Sequence, residues 1–255
     1  MGCGKMGSWI SRELAKSGNK VAVFDRHEEK ALGLAEAGCA PLAKINDAKG
    51  FKPEILVNAV SLGNTISAFN EAMPHIGEEC ILCDVASIKD GLEEFYAKAG
   101  LPFLSMHPMF GPTFASMNTP KGENAIIIKG SDKKASVFFR EFFAERGVNV
   151  SDYTFNEHDG MMAYSLTTPF FSSLVFASCI NATVVPGTTF GRHLAIAKGL
   201  LGEDDSLICE ILFNRHSPRQ IDRINSRMEH LKHIIMARDT EEAKKFLARL
   251  RENIK

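Results

Sequence analysis

The chain of 255 residues predicts a doubly wound, mainly parallel α/β sheet followed by an all-helical C-terminal domain. Three observations carry that expectation. The first is a glycine loop, Gly2-Cys3-Gly4-Lys5-Met6-Gly7, with the spacing G-x-G-x-x-G. In such a loop the first glycine makes a tight turn, the second lets backbone approach a pyrophosphate, and the third lets helix pack on sheet. The second is an alternation of short apolar runs with amphipathic stretches through residue 150. The third is a change of character after that point, from where helical patterns run to the end. The expected division is residues 1–150 as a dinucleotide-binding domain and 151–255 as a helical substrate and dimerisation domain.

A helix opens at the glycine loop, with Ile10, Leu14 and Ala15 on one face, Ser8, Arg12, Glu13 and Lys16 on the other, and Gly18 as its stop. Lys20 to Asp25 follows as a short apolar strand ending in a carboxylate, 18 residues beyond Gly7 (25 − 7). That is where an acid accepts hydrogen bonds from an adenosine ribose, so loop, helix, strand and acid together read as a Rossmann-type NAD site. A carboxylate at Asp25 repels a 2′-phosphate and favours NAD over NADP; Arg26 and His27 beside it soften that preference. The cofactor residues expected are Gly2, Gly4, Lys5, Met6, Gly7, Asp25, Arg26 and, at a later strand end, Ser61. In this fold the strand before the glycine loop lies in the middle of the sheet. A Val/Ile-rich run is therefore expected upstream of Gly2, in a native chain starting about 5–10 residues earlier.

Further strands are expected at Glu54 to Val60, Cys80 to Val85, Leu101 to Met106 and Ala125 to Lys129. Helices are expected at residues 27–37, 65–75, 88–99 and 133–146. Ligands of such sheets bind beyond the carboxyl ends of the strands, and three of those ends are polar: Ser61 to Thr65, Ser87 to Lys89, and His107 onward. His107 is followed by Pro108, Met109, Phe110, Gly111 and Pro112, a loop stiffened by two prolines. A histidine held there suits a general base over a nicotinamide, or else bonds the loop backbone. Ser87 either orients that imidazole, touches the cofactor, or caps the helix at 88–99.

Thr154-Phe155-Asn156-Glu157 has the form of a capping box and opens a stretch, Gly160 to Gly191, without a charged residue or histidine. Pro169, Pro186-Gly187 and many Ser, Thr and Asn residues argue against a membrane span, leaving helices buried in a core or a subunit interface. Arg192 emerges directly after it, as a helix-surface cation or as a receptor for a substrate carboxylate. Ile221, Ile224, Met228, Leu231 and Ile235 form an apolar stripe, for core packing or a dimer, and Asp239 to Glu242 starts a last helix.

Composition excludes other classes. With 45% hydrophobic residues the chain builds a real core, and 30 basic against 31 acidic residues offer no field for nucleic acid or an anionic membrane. The six cysteines are scattered, as reduced cytoplasmic thiols are. Cys80 and Cys83, three apart on a strand, point to opposite faces and make no metal clip; no metal site is expected.

The glycine loop with Lys5-Met6-Gly7, the run Asp84-Val85-Ala86-Ser87-Ile88-Lys89, the HPMFGP run from His107 to Pro112, and His158-Asp159 opening a long helix together resemble the prephenate dehydrogenase family. The resemblance implies NAD-dependent oxidative decarboxylation of prephenate to 4-hydroxyphenylpyruvate, on the route to tyrosine. It implies His107 as the catalytic histidine, Ser87 as the strand-end serine and Arg192 as the carboxylate arginine. Many members carry a histidine where this chain has Thr167, which opens the choice between prephenate and its amino analogue arogenate. Thr167 is the expected substrate contact there, and a homodimer through the helical domain is the expected assembly. Other readings are another Rossmann oxidoreductase, such as a 3-hydroxyacid dehydrogenase or imine reductase, and an NAD-sensing regulatory protein that needs neither His107 nor Arg192.

Overall fold

The computed structural model describes residues 1–110, 120–181, 183, 185 and 187–255. Gly111 and Pro112 of the proline loop, and Pro186, lie outside the described residues. The glycine loop leads into α1 (Lys5–Lys16), then β1 (Ala22–Val23), α2 (Glu28–Leu32), β2 (Ala40–Pro41), α3 (Ala48–Phe51), β3 (Ile55–Asn58), α4 (Thr65–Ala72) and β4 (Ile81–Asp84). Next come α5 (Leu92–Ala99), β5 (Phe103–Pro108), β6 (Asn124–Ile128), α6 (Lys133–Ala144) and β7 (Asn149–Tyr153). The rest is helical: α7 (Phe155–Met162), a π-helical segment (Ala163–Thr167), α8 (Thr168–Ser178), α9 (Thr188–Leu200), α10 (Asp205–Leu212), α11 (Ser217–Ala237) and α12 (Thr240–Asn253).

The larger sheet has the order β3-β4-β5-β6-β7, with β5–β6 antiparallel and the other pairs parallel. β1 and β2 form a separate parallel pair. The backbone of Met1 and Gly2 connects the two: Met1 nitrogen donates to Val57 O (2.8 Å), Ala59 N–H to Met1 O (2.8 Å) and Gly2 N–H to Phe24 O (2.9 Å). Both faces of the larger sheet are covered, which is why its strands read as continuous apolar runs. Ile81, Cys83, Leu104, Met106, Ala125 and Ile127 pack with Trp9 and Ile10 of α1 and Phe139, Phe142 and Phe143 of α6. Leu56, Leu82, Ile126 and Ile128 pack on the other face with Phe69, Leu92, Tyr96 and Phe155. Cys80 belongs to the second cluster and Cys83 to the first, so the two thiols do lie on opposite faces.

Several local expectations change. The helix expected at 27–37 is α2 followed by a single 3-10 turn at Ala35–Ala37. The helix expected from residue 88 starts at Leu92 behind Gly91, whose φ of 74° suits a residue without a Cβ. Ser87 is therefore not its N-cap. β2, α3 and β7 had no periodic signal: β2 is two residues ending in proline, and β7 has three exposed and two half-buried residues without strict alternation. β7 also crosses residue 150, so the sheet continues to Tyr153. The capping box forms as read, with Thr154 Oγ1 accepting from Glu157 N–H (3.2 Å) and Glu157 Oε2 from Thr154 N–H (2.7 Å). The uncharged stretch takes in the end of α7, the π-helical segment, α8 and the start of α9, and none of the residues of α8 is buried within this chain. Among the described residues no helix is long and apolar enough to cross a membrane.

Candidate active site

The glycine loop has the geometry its spacing demands. Gly2 sits at φ 83°, and a Cβ there would lie 2.7 Å from the backbone of Ala59. A Cβ on Gly7 would lie 1.9 Å from Gly2 O, whereas the Cβ position of Gly4 faces open space. α1 thus starts tight against the end of β3, with Gly4 exposed at its N-cap and Lys5 exposed in its first turn, while Met6 packs on the core. The first N–H groups of a helix have no intrahelical partner, and with the macrodipole they favour an anion. Asp25 accepts from Cys3 N–H (2.7 Å) and His27 N–H (2.9 Å). Partial burial acts to raise its pKa, but those two bonds together with the nearby Lys30 and His27 outweigh it, and the carboxyl is held below its usual range. Arg26 reaches across to Glu71 (3.1 Å), which removes it from the role of a free cation beside Asp25. Ser61 is exposed beyond β3, its hydroxyl accepting from Asn64 Nδ2 (2.8 Å).

His107 ends β5, 7% exposed, with Pro108 closing the strand. The loop after it turns back on α1: Phe110 is 1% exposed and its ring meets Trp9 edge-on at 5.1 Å. The imidazole is positioned by residues for which the sequence reading assigned no such role. His107 Nδ1 lies 3.0 Å from His158 Nε2, and His158 Nδ1 lies 2.8 Å from Asp159 Oδ1, which also accepts from Lys89 N–H (2.8 Å). An ionised carboxylate only accepts, so the His158 proton sits on Nδ1; neutral His158 Nε2 then accepts from His107 Nδ1–H. Among the described residues nothing bonds His107 Nε2, whose lone pair faces none of them as a partner. Burial, then the neighbouring His158 and Lys89, push the His107 pKa well below 6.5. Burial also lowers that of His158, against the opposing pull of Asp159.

Beneath this chain of donors lies a second buried cluster. Asp84 accepts from Tyr96 Oη (2.8 Å), Ala86 N–H (3.0 Å) and the Lys89 ammonium. Lys89 Nζ also donates to the carbonyl of Met106 (2.7 Å), the residue before His107. Lys89 and Asp84 side chains are fully buried, so breaking this pair would strand a charge, at about 3–5 kcal/mol.

Ser87 is half-buried and does not bond His107; His158 does that work. Thr167 is corrected too: it is fully buried, its hydroxyl 2.7 Å from Ser217 Oγ, so it ties the π-helical segment to α11 instead of facing a substrate. Arg192 is exposed on α9 and makes no ion pair among the described residues. One contact crosses from the helical part to the strand ends: Glu210 Oε1 on α10 accepts from Gly63 N–H (2.8 Å).

The family described as "Prephenate dehydrogenase, nucleotide-binding domain" matches residues 10–149, more than half of the chain. The chain belongs to the prephenate dehydrogenase family. Among curated relatives it is 29% identical over 165 residues to a probable arogenate/prephenate dehydrogenase of Methanocaldococcus jannaschii, covering 62% of this chain and 36% of that protein. It is 23% identical over 227 residues to the T-protein of Enterobacter agglomerans, covering 85% of this chain and 56% of that protein. The chain thus spans between about a third and just over half of the length of these two relatives. The fold matches a crystal structure of prephenate dehydrogenase from A. aeolicus in complex with hydroxyphenyl propionate and NAD+, with a TM-score of 0.85 at 19% identity, over 99% of this chain and 94% of that one. The matched residues include β5 with His107, and the glycine loop at residues 2–7 lies just before them.

Proposed function

We propose that this member of the family is an NAD-dependent dehydrogenase that oxidatively decarboxylates prephenate to 4-hydroxyphenylpyruvate. The observation that carries this reading is the hydrogen-bonded line Asp159–His158–His107, which leaves a neutral imidazole at a strand end beside α1 with Nε2 unbonded among the described residues. The residues fit NAD: Gly4 leaves open backbone at the helix start, and Asp25 supplies a carboxylate where a ribose is held, with Arg26 drawn away to Glu71. NAD, when bound, accepts a hydride.

The chain's own residues supply the rest. His107 Nε2 takes the proton of the ring hydroxyl as the carbon bearing it becomes a carbonyl. The bond from the ring to its carboxylate then breaks, carbon dioxide leaves, and the electron pair completes an aromatic ring whose phenolate oxygen takes a proton back. Positive charge on His107 during the first step is shared through His158 with Asp159. Arg192, exposed and without an ion pair among the described residues, supplies a fork for a substrate carboxylate. A homodimer through the helical part is supported by the unburied apolar helix α8 and by Met228, Leu231 and Ile235, all at least 41% exposed. A reducing, cytoplasmic setting is supported by six free thiols.

An absorbance assay of reduced nicotinamide, with NAD or NADP crossed against prephenate or arogenate, tests the reading. Turnover of prephenate with NAD is expected. Turnover of arogenate alone would move the chain to the amino analogue, and turnover of neither would overturn the proposal.

A further inference from the structure

A cleft of about 620 Å³ lies between the π-helical segment and α11, lined by Tyr164, Arg219, Gln220 and Arg223. Its charge is unbalanced. Arg219 and Arg223 stand one turn apart on α11, and Arg227 continues the row at the same spacing. None of the three makes an ion pair or side-chain hydrogen bond among the described residues. Of the acids on α11, Glu229 is taken by Lys232, and Asp222, three residues beyond Arg219, makes no ion pair with it among the described residues. Like charges at that spacing destabilise a helix unless something neutralises them.

Near the cleft in sequence but not lining it, Ser165 Oγ, next to Tyr164, and His216 Nε2, three residues before Arg219, are buried polar atoms with no hydrogen-bond partner among the described residues. The segment that presents Tyr164 is π-helical, and such departures from the α-helix recur at functional sites. The cleft is also tied to the histidines. Thr167 bonds Ser217 at the start of α11, and Asn214 Nδ2 donates to the carbonyl of Asp159 (2.9 Å). A ligand that braces α11 against the π-helical segment therefore acts on the seat of His158.

We infer that this cleft binds a small polyanion with two acidic groups, a di- or tricarboxylate or a phosphorylated metabolite, apart from the site at His107. Two guanidinium forks one turn apart match two acidic groups, with the Tyr164 hydroxyl as a neutral donor. The volume is that of a small-molecule site.

Isothermal titration of the full chain at low salt, with citrate in one arm and inorganic phosphate in the other and neither nucleotide nor prephenate present, tests this. Saturable binding is expected, and the stronger arm identifies the acidic group. Arg219→Gln and Arg223→Gln should each raise Kd about tenfold, and the double variant about a hundredfold. The probe should raise the Tm of the wild type and not that of the double variant. Circular dichroism checks the fold, and Arg223→Gln alone carries the test if the double variant does not fold. No saturable binding in either arm, or equal affinity in the variants, would overturn the inference. So would variants that change only the sedimentation coefficient, since the arginines would then be pairing with a second copy of the chain.

Discussion

His107 is suited to accept a proton because its other nitrogen is already committed. With Nδ1–H given to His158, the lone pair on Nε2 is the one left to act, and burial keeps the ring neutral. His107→Asn should lower kcat by roughly 10²- to 10⁴-fold while the NAD dissociation constant stays within about twofold. Asp159→Asn should approach the same loss without touching substrate, because an amide no longer dictates which His158 nitrogen holds the proton. A kcat near wild type in that variant would remove His158 and Asp159 from the mechanism. Since the His107 pKa is lowered, the acidic limb of kcat/KM should lie below pH ~6.5, the value of a free imidazole. At the other end of the site, Asp25 should make kcat/KM higher with NAD than with NADP by tenfold or more. Equal values would promote Arg26, freed from Glu71, to a phosphate ligand.

At the scale of elements, the glycine loop and α1 act as one rigid unit set against β3. Gly7→Ala forces a methyl group into the carbonyl of Gly2, and the helix start must shift to admit it. We expect a loss of about 1–3 kcal/mol of stability and a clear rise in the NAD dissociation constant, read by thermal melting and titration. Gly4→Ala, with open space at its Cβ position, should leave Tm nearly unchanged and so separates stability from binding. The capping box of α7 was legible because its signal is local, a threonine and a glutamate three apart. β7 was not, because an edge strand with three of its five residues exposed carries little apolar alternation. The start of α5 was misplaced for a related reason: Lys89 N–H is drawn to Asp159, seventy positions away, and a tertiary bond replaces the local cap that Ser87 offered.

For the whole molecule, the buried histidines make stability depend on pH in a definite direction. Both pKa values are lowered in the folded chain, so below pH ~6.5 the unfolded chain binds more protons than the folded one. Stability should be fully present above that pH and fall as pH drops through it, with a slope of up to two protons; urea titrations at successive pH values measure this. A slope of zero between pH ~6.5 and 5 would mean that the histidines are charged in the fold. Glu210, whose carboxylate crosses to Gly63, joins the helical part to the strand ends. Glu210→Ala should raise the KM for the dinucleotide more than it lowers Tm, since it loosens one exposed backbone loop and not the core.

The sequence by itself determined the covered parallel sheet, the glycine loop with Asp25, and the placing of His107 at a strand end. Each of these rests on short-range spacing: apolar runs, glycine intervals, an acid at the next strand's close. Only the tertiary structure decided what His107 touches. Its partners come from α7, and Lys89 and Asp84 beneath it come from β4 and the turn that follows, positions brought together by packing and not by any periodic pattern. It also decided that Thr167 is structural and that Arg219 and Arg223 share a cleft with Tyr164, because which face of a helix is covered depends on the neighbour it packs against.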